Sequence, residues 1–163
     1  MNQEERNQKI EEYGRGYEEL AAALAEVPRE VWDFKPAAEE WNLHEVLNHF
    51  ADSEINGLVR LYKLISEPGD TIMMYEESIW AKAMDYQHQD SEEALQIFKL
   101  LRHRTYNLLK RLPHSVYDQS LVHPMEEYNP YTLDLWLNIY VDHVPEHVEQ
   151  IQNNYKAWKE QKK

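Results

Sequence analysis

The stretch LDLWLNIYVDHVPEHVEQIQNNYKAW, residues 133–158, decides the fold. Its apolar residues Leu133, Trp136, Leu137, Tyr140, Val144, Val148, Ile151, Tyr155 and Trp158 recur in steps of three and four. That is the period of one helix face, sustained over about seven turns. Thr132 is placed to cap this helix, which runs from about 133 to 160. Pro145, inside it, removes one backbone hydrogen bond and is expected to bend it.

The same period appears three more times upstream. Ile10, Tyr13, Tyr17, Leu20, Leu24 and Val27 predict a helix over roughly 3–26. Gly14 and Gly16 interrupt it, and each costs about 1 kcal/mol against alanine in a helix, so they imply either a close backbone approach or strain. Asn42 with Glu45 has the form of a capping box opening a second helix that runs to about Ser66, with Leu43, Leu47, Phe50, Ala51, Leu58, Leu61 and Ile65 as its stripe. Glu67, Pro68, Gly69 and Asp70 end it. Asp90 and Glu93 cap a third long helix carrying Ala94, Phe98, Leu101, Thr105, Leu108 and Leu112, and Pro113 stops it. Between these, residues 71–89 are irregular, with Trp80, Met84 and Tyr86 offering a short helix, and 114–131 read as a loop packed over one end of a bundle. The expected architecture is all-α, one domain over 1–163, a four-helix bundle with a short extra helix or loop in the crossover.

Composition narrows the partners. Thirty acidic residues against 17 basic ones give a formal net charge of -13, a field that repels phosphate backbones and anionic lipids. Neither nucleic acid nor a membrane is therefore an expected partner. No apolar run is long enough to span a bilayer and MNQEERNQK lacks the apolar core of a signal peptide, so a cytoplasmic location is expected. With no cysteine, thiolate ligands and a protein thiol nucleophile are excluded, and any thiol chemistry must arrive with a substrate.

Two histidines sit on the decisive helix. His147 lies roughly 40° from the centre of its stripe and His143 a similar angle further round, with about 6 Å of rise between them, so both rings can turn to one ion. Eight histidines in 163 positions produce such a spacing by chance in about one sequence of three, so the pair alone is weak. The bland alternative is two bundle histidines satisfied by carboxylates or water. On the second helix His49 lies at the Val46 flank of the stripe, where periodicity leaves it unburied, whereas Glu54 falls nearer the centre and needs a buried partner. His44, His88, His103, His114 and His123 read as surface or loop residues.

WNLHEVLNHFADSEIN from Trp41 to Asn56, YEESIW from Tyr75 to Trp80, His123-Pro124, and YVDHVPEHVEQI from Tyr140 to Ile151 together resemble the DinB-like family of metal-binding helical bundles. The likeness is greatest to its YfiT-like branch of metal-dependent hydrolases and thiol S-transferases. The resemblance implies a four-helix bundle with a histidine triad, one ligand from the second helix and two from the last, which fall on His49, His143 and His147 here. It also implies a homodimer. Where relatives carry further histidines, this chain has Glu54, Pro145, Glu146 and Gln150.

Three neutral imidazoles leave the charge of a divalent ion uncancelled, so a water or thiol at it becomes a nucleophile. A sulfur-free donor set suits one divalent transition metal, zinc or nickel before cobalt, iron or manganese. Asp52, Glu54, Asp142 and Glu146 are candidates to orient ligands or act as base, and each is otherwise a surface acid. Tyr75 and Trp80 are candidates to wall the cleft, with core packing as the alternative. Catalytic residues stay unassigned, and no residue is assigned to an organic cofactor. The expected function is activation of water or of a low-molecular-weight thiol, as in a bacillithiol-type S-transferase or a hydrolase, with a small-molecule thiol and electrophile as partners. Two other classes stay open: a non-catalytic, stress-related bundle that binds a metal or small molecule, and a metal-free interaction bundle.

Overall fold

The computed structural model describes residues 1–162. Among the described residues five α-helices are present: α1 (Gln3–Ala25), α2 (Leu43–Ser66), α3 (Glu77–Ala83), α4 (Ser91–Leu109) and α5 (Leu133–Gln161). The four long ones are those read from periodicity, and three of their caps, Asn42, Asp90 and Thr132, are where the sequence places them. Asn2 and Asn42 each close a capping box with a glutamate three residues on, Asp90 accepts from the amides of Glu92 and Glu93, and Thr132 accepts from Leu135.

α1 packs against α4 and α5, and α2 packs against the same two, so the sequence neighbours α1 and α2 stand diagonally across the bundle. This arrangement sets α2 beside α5. The crossover contributes α3 and a 3-10 turn, Tyr86–His88, both lying on α2. The 114–131 segment is more ordered than a plain loop. It holds two 3-10 turns and ends in a two-residue antiparallel ladder, β1 (Ser120–Leu121) with β2 (Tyr131–Thr132). Val116, Leu121 and Tyr131 seal one end of the core, which is why a stretch without helical period is nevertheless fixed.

The core divides in two. One apolar cluster gathers Ile10, Leu61, Leu64, Leu109, Trp136 and Leu137, the other Leu20, Leu24, Leu47, Phe50, Phe98 and Ile151. Between them lies a polar layer. Glu54 meets Arg102 of α4 at 3.2 Å with side chains 2% and 1% exposed, and it accepts a hydrogen bond from the Tyr13 hydroxyl. Arg102 also donates to the carbonyls of Tyr13 (3.3 Å) and Tyr140 (3.1 Å), so one guanidinium touches the three other long helices. The glycines of α1 are explained here. A methyl on Gly16 would lie 3.0 Å from the Arg102 guanidinium, and one on Gly14 would lie 2.7 Å from the Tyr106 ring, so close approach and not strain accounts for both.

No described helix is long and apolar enough to cross a membrane.

Candidate metal centre

His49 enters the site two turns into α2. It is 1% exposed, contrary to its place on the edge of the stripe. A single stripe assumes one packing partner, but α2 is covered by α4, by α5 and by the crossover, where Asn48 donates to the Tyr86 carbonyl at 3.1 Å. The buried arc of α2 therefore runs nearly all round at this level, taking in Val46, Leu47, Asn48, His49, Phe50 and Ala51. The Trp41 ring, 5.0 Å from that of His49 between centroids, closes the site from the side of the entering chain.

α5 supplies the other two rings one turn apart, His143 and His147, with centroids 4.6 Å apart and planes nearly perpendicular. The helix continues through Pro145 without a break. Phe50 lies against both rings at 5.1 and 5.2 Å.

The nitrogens converge. His49 Nε2 is 2.9 Å from His143 Nε2, and one ligand atom from each of the three histidines lies within 4.8 Å of the others. For His147 a second partner fixes which nitrogen is free. His147 Nδ1 faces the Gln150 carboxamide oxygen at 2.7 Å, which can only accept, so Nδ1 carries the hydrogen and Nε2 keeps its lone pair. His49 Nδ1 contacts the Tyr75 hydroxyl at 3.1 Å. Tyr75 adjoins the Tyr86 hydroxyl, which donates to Asp52. Asp52 thus reaches His49 only through two phenols.

Burial, and behind it the neighbouring His147, push His49 down to about 3. His143 is held well below its ordinary value, first by burial and then by His49, His147 and Arg102. Both are neutral at pH 7, so no proton has to leave before they donate to a cation. Two lone pairs facing each other at 2.9 Å repel unless a proton or cation lies between them. Metal–imidazole bonds of about 2.0–2.1 Å at tetrahedral to right angles give nitrogen separations of about 2.9–3.4 Å, which the His49–His143 pair matches, and His147 lies near enough to be the third ligand of a divalent ion.

The other acids named from sequence divide differently. Glu54 is held by Arg102 and Tyr13 and is not available as a base. Asp142 and Glu146 are exposed. The carboxylate that does reach the triad is Glu77, at the start of α3, with Oε2 3.5 Å from His49 Nε2 and 58% of its side chain exposed. Sequence reasoning passed over it, along with Trp41, Phe50 and Gln150 as contacts of the rings. The only signal for Glu77 was its place inside YEESIW. Tyr75 walls the site as anticipated, its ring parallel to that of His49, and Trp80 stands edge-on behind it. Of the five histidines set aside, His44 bonds Ser91, His88 pairs with Asp85, and His103 contacts Asn107. His123 lies in a loop, as one of the two readings had it, and is 7% exposed, its Nδ1 accepting from the Met125 amide.

A protein of Halalkalibacterium halodurans named "Putative metal-dependent hydrolase" is 32% identical over 84 residues, 52% of this chain and 48% of that one. A protein of that name from Oceanobacillus iheyensis is 30% identical over 111 residues, 68% of this chain and 63% of its own. YfiT from Bacillus subtilis, also so named, is 28% identical over 111 residues, 68% and 62% of the two chains. The matched region thus spans between about half and two thirds of the length of these relatives. The solved structure of Bacillus subtilis YfiT, described as a four-helix bundle of unusual topology, superposes with a TM-score of 0.87 at 23% identity, covering 98% of this chain and 90% of that one. Its fold is the fold found here. Residues 12–151 match the DinB superfamily model, and the chain belongs to that superfamily.

Proposed function

We propose that the protein is a divalent-metal-dependent enzyme in which His49, His143 and His147 hold the ion, zinc or nickel before cobalt, iron or manganese. The observation that carries this reading is the 2.9 Å approach of two ring nitrogens from buried, neutral histidines, with the third ring alongside. When bound, a divalent ion with three neutral ligands supplies a double positive charge that acidifies a water or a thiol.

The remaining work falls to the chain. Tyr75 and Gln150 hold the rings of His49 and His147 so that Nε2 points inward. Trp41 and Phe50 pack against the rings and keep bulk water from their inner faces. Glu77 is the carboxylate placed to take the proton that the nucleophile gives up. The nucleophile is water or a low-molecular-weight thiol of the bacillithiol type, and the acceptor a small electrophile. The metal-dependent hydrolase names of the relatives support the hydrolytic variant, and the absence of a cysteine in the chain leaves the transferred sulfur to a substrate.

The test is elemental analysis of the dialysed protein, followed by turnover on a panel of activated esters and of thiol–electrophile pairs. One equivalent of metal is expected, together with turnover that falls at least a hundredfold, along with metal content, in His143→Ala. Full activity without metal overturns the proposal. Stoichiometric metal without turnover across the panel overturns its catalytic half and leaves a binding protein.

A further inference from the structure

Beside the triad lies a pocket of about 360 Å³ that shares Tyr75 and Glu77 with it and extends to Arg60, His123, Tyr128 and Tyr131. Its volume is that of a small-molecule site. Arg60 follows His49 by eleven residues on α2, three turns, so the two share a face with Cα atoms roughly 16 Å apart. Helical side chains lean toward the helix N-terminus, which tips the arginine back toward the triad.

Among the described residues no carboxylate pairs with Arg60. Ion pairs among the described residues engage Arg6, Arg29 and Arg102, and none engages Arg60 although the chain has 30 acids. Its guanidinium donates to the Met73 carbonyl at 3.2 Å and adjoins the Tyr131 and Tyr140 hydroxyls, while its Nε is buried without a partner. Two more donors line the same pocket. The Tyr131 hydroxyl is buried beside the Arg60 guanidinium, which lies 6.0 Å from its ring centroid, and no acceptor among the described residues takes its own hydrogen. His123 accepts at Nδ1 from the Met125 amide, so its single hydrogen is on Nε2. An arginine, a phenol and an imidazole N–H have hydrogens to give at one end, while Glu77 stands at the other, beside His49.

We propose that this pocket binds a carboxylate-bearing small molecule, with Arg60 receiving the carboxylate and the body of the ligand directed along the tyrosines toward the histidines. The proposal rests on the triad being the reactive centre and adds the class of substrate. A carboxylate accepts hydrogen bonds and gives none, which complements three donors, and guanidinium meets it through two parallel bonds. Phosphate shares that geometry, but its second charge would enter a pocket that Glu76 and Glu77 also line. A single charge is the better match.

The experiment uses the full chain freed of metal by chelator, because a bound ion would itself attract anions. 3-Phenylpropionate, 3-phenylpropionamide and phenyl phosphate are titrated while the tyrosine ring resonances are followed by NMR. The expected result is saturable binding of the carboxylate, at least tenfold tighter than the amide and tighter than the phosphate, with shifts at Tyr131 and Tyr75. In Arg60→Gln the preference for acid over amide vanishes, with thermal melting used to check that the variant is folded. Equal binding of acid and amide, absence of binding by all three, or tighter binding of the phosphate overturns the proposal, and these readings come from the unaltered protein. Metal stoichiometry is measured separately on unaltered and Arg60→Gln protein and is expected to be equal in both. Failure of the unaltered protein, before chelation, to hold one equivalent of metal sinks the reading of the triad and leaves the carboxylate result standing.

Discussion

Nε2 of His49 and Nε2 of His143, 94 residues apart in sequence, stand 2.9 Å from each other inside the bundle. Two imidazoles at that distance share at most one proton, and burial keeps both from taking a charge.

Without metal, that arrangement makes folding sensitive to acid. His49 titrates near 6.5 in the unfolded chain and at about 3 in the folded one, so the unfolded state binds more protons below pH 6.5. Its contribution is present above pH 6.5 and is lost as the pH falls toward 3. Between pH 7 and pH 5 the histidine alone removes about 2 kcal/mol. His143 acts in the same direction, whereas Glu54, whose carboxyl is pushed up by burial, acts in the opposite one. Urea unfolding of the metal-free protein at both pH values, compared with His49→Asn, isolates the share of His49. Equal pH dependence in the two proteins excludes it.

Gly57 and Gly14 are expected to respond differently to alanine. A methyl at Gly57 would lie 2.6 Å from the ring of Tyr140, which is 3% exposed and packed on Trp136 at 4.6 Å. With no room to move, Gly57→Ala costs about 1–3 kcal/mol. At Gly14 the obstacle is Tyr106, a partly exposed ring held by Glu11 and Lys110 at the surface, which can swing aside. There the gain in helix propensity, about 1 kcal/mol, offsets the displacement. Paired denaturation curves that rank the two variants the other way refute this.

Arg102→Met leaves Glu54 buried without its cation and is expected to cost about 3–5 kcal/mol at pH 7. Adding Glu54→Leu should restore most of that loss, because the pair then becomes apolar on both sides. Denaturant midpoints of the single and double variants decide the matter. A double variant no more stable than Arg102→Met alone would mean that the cost lies in the carbonyl contacts of Tyr13 and Tyr140 and not in the charge pair.

What the sequence carried was local. The caps at Asn42, Asp90 and Thr132 follow from residues three apart, and the four stripes follow from a period that one helix sets by itself. Glu54 was legible as a buried acid for the same reason. Its partner was not, because Arg102 is 48 positions away and nothing in either helix encodes which faces meet. The burial of His49 was hidden likewise: the crossover that covers it has no period, and only the resemblance pointed there. Glu77 was missed because an exposed glutamate at a helix start looks like any other charge favoured by the helix dipole.

The charged layer midway along the bundle has a consequence for how the helices are set against each other. Greasy surfaces tolerate sliding, since one leucine replaces another after a shift of a single turn, about 5.4 Å. Here such a shift of α4 would carry the Arg102 guanidinium away from Glu54 and from the two carbonyls it spans, and leave all of them against alkyl side chains. Axial alignment is therefore fixed by the penalty for every wrong setting. It is that fixed setting which lets histidines on two separate helices arrive at the same height.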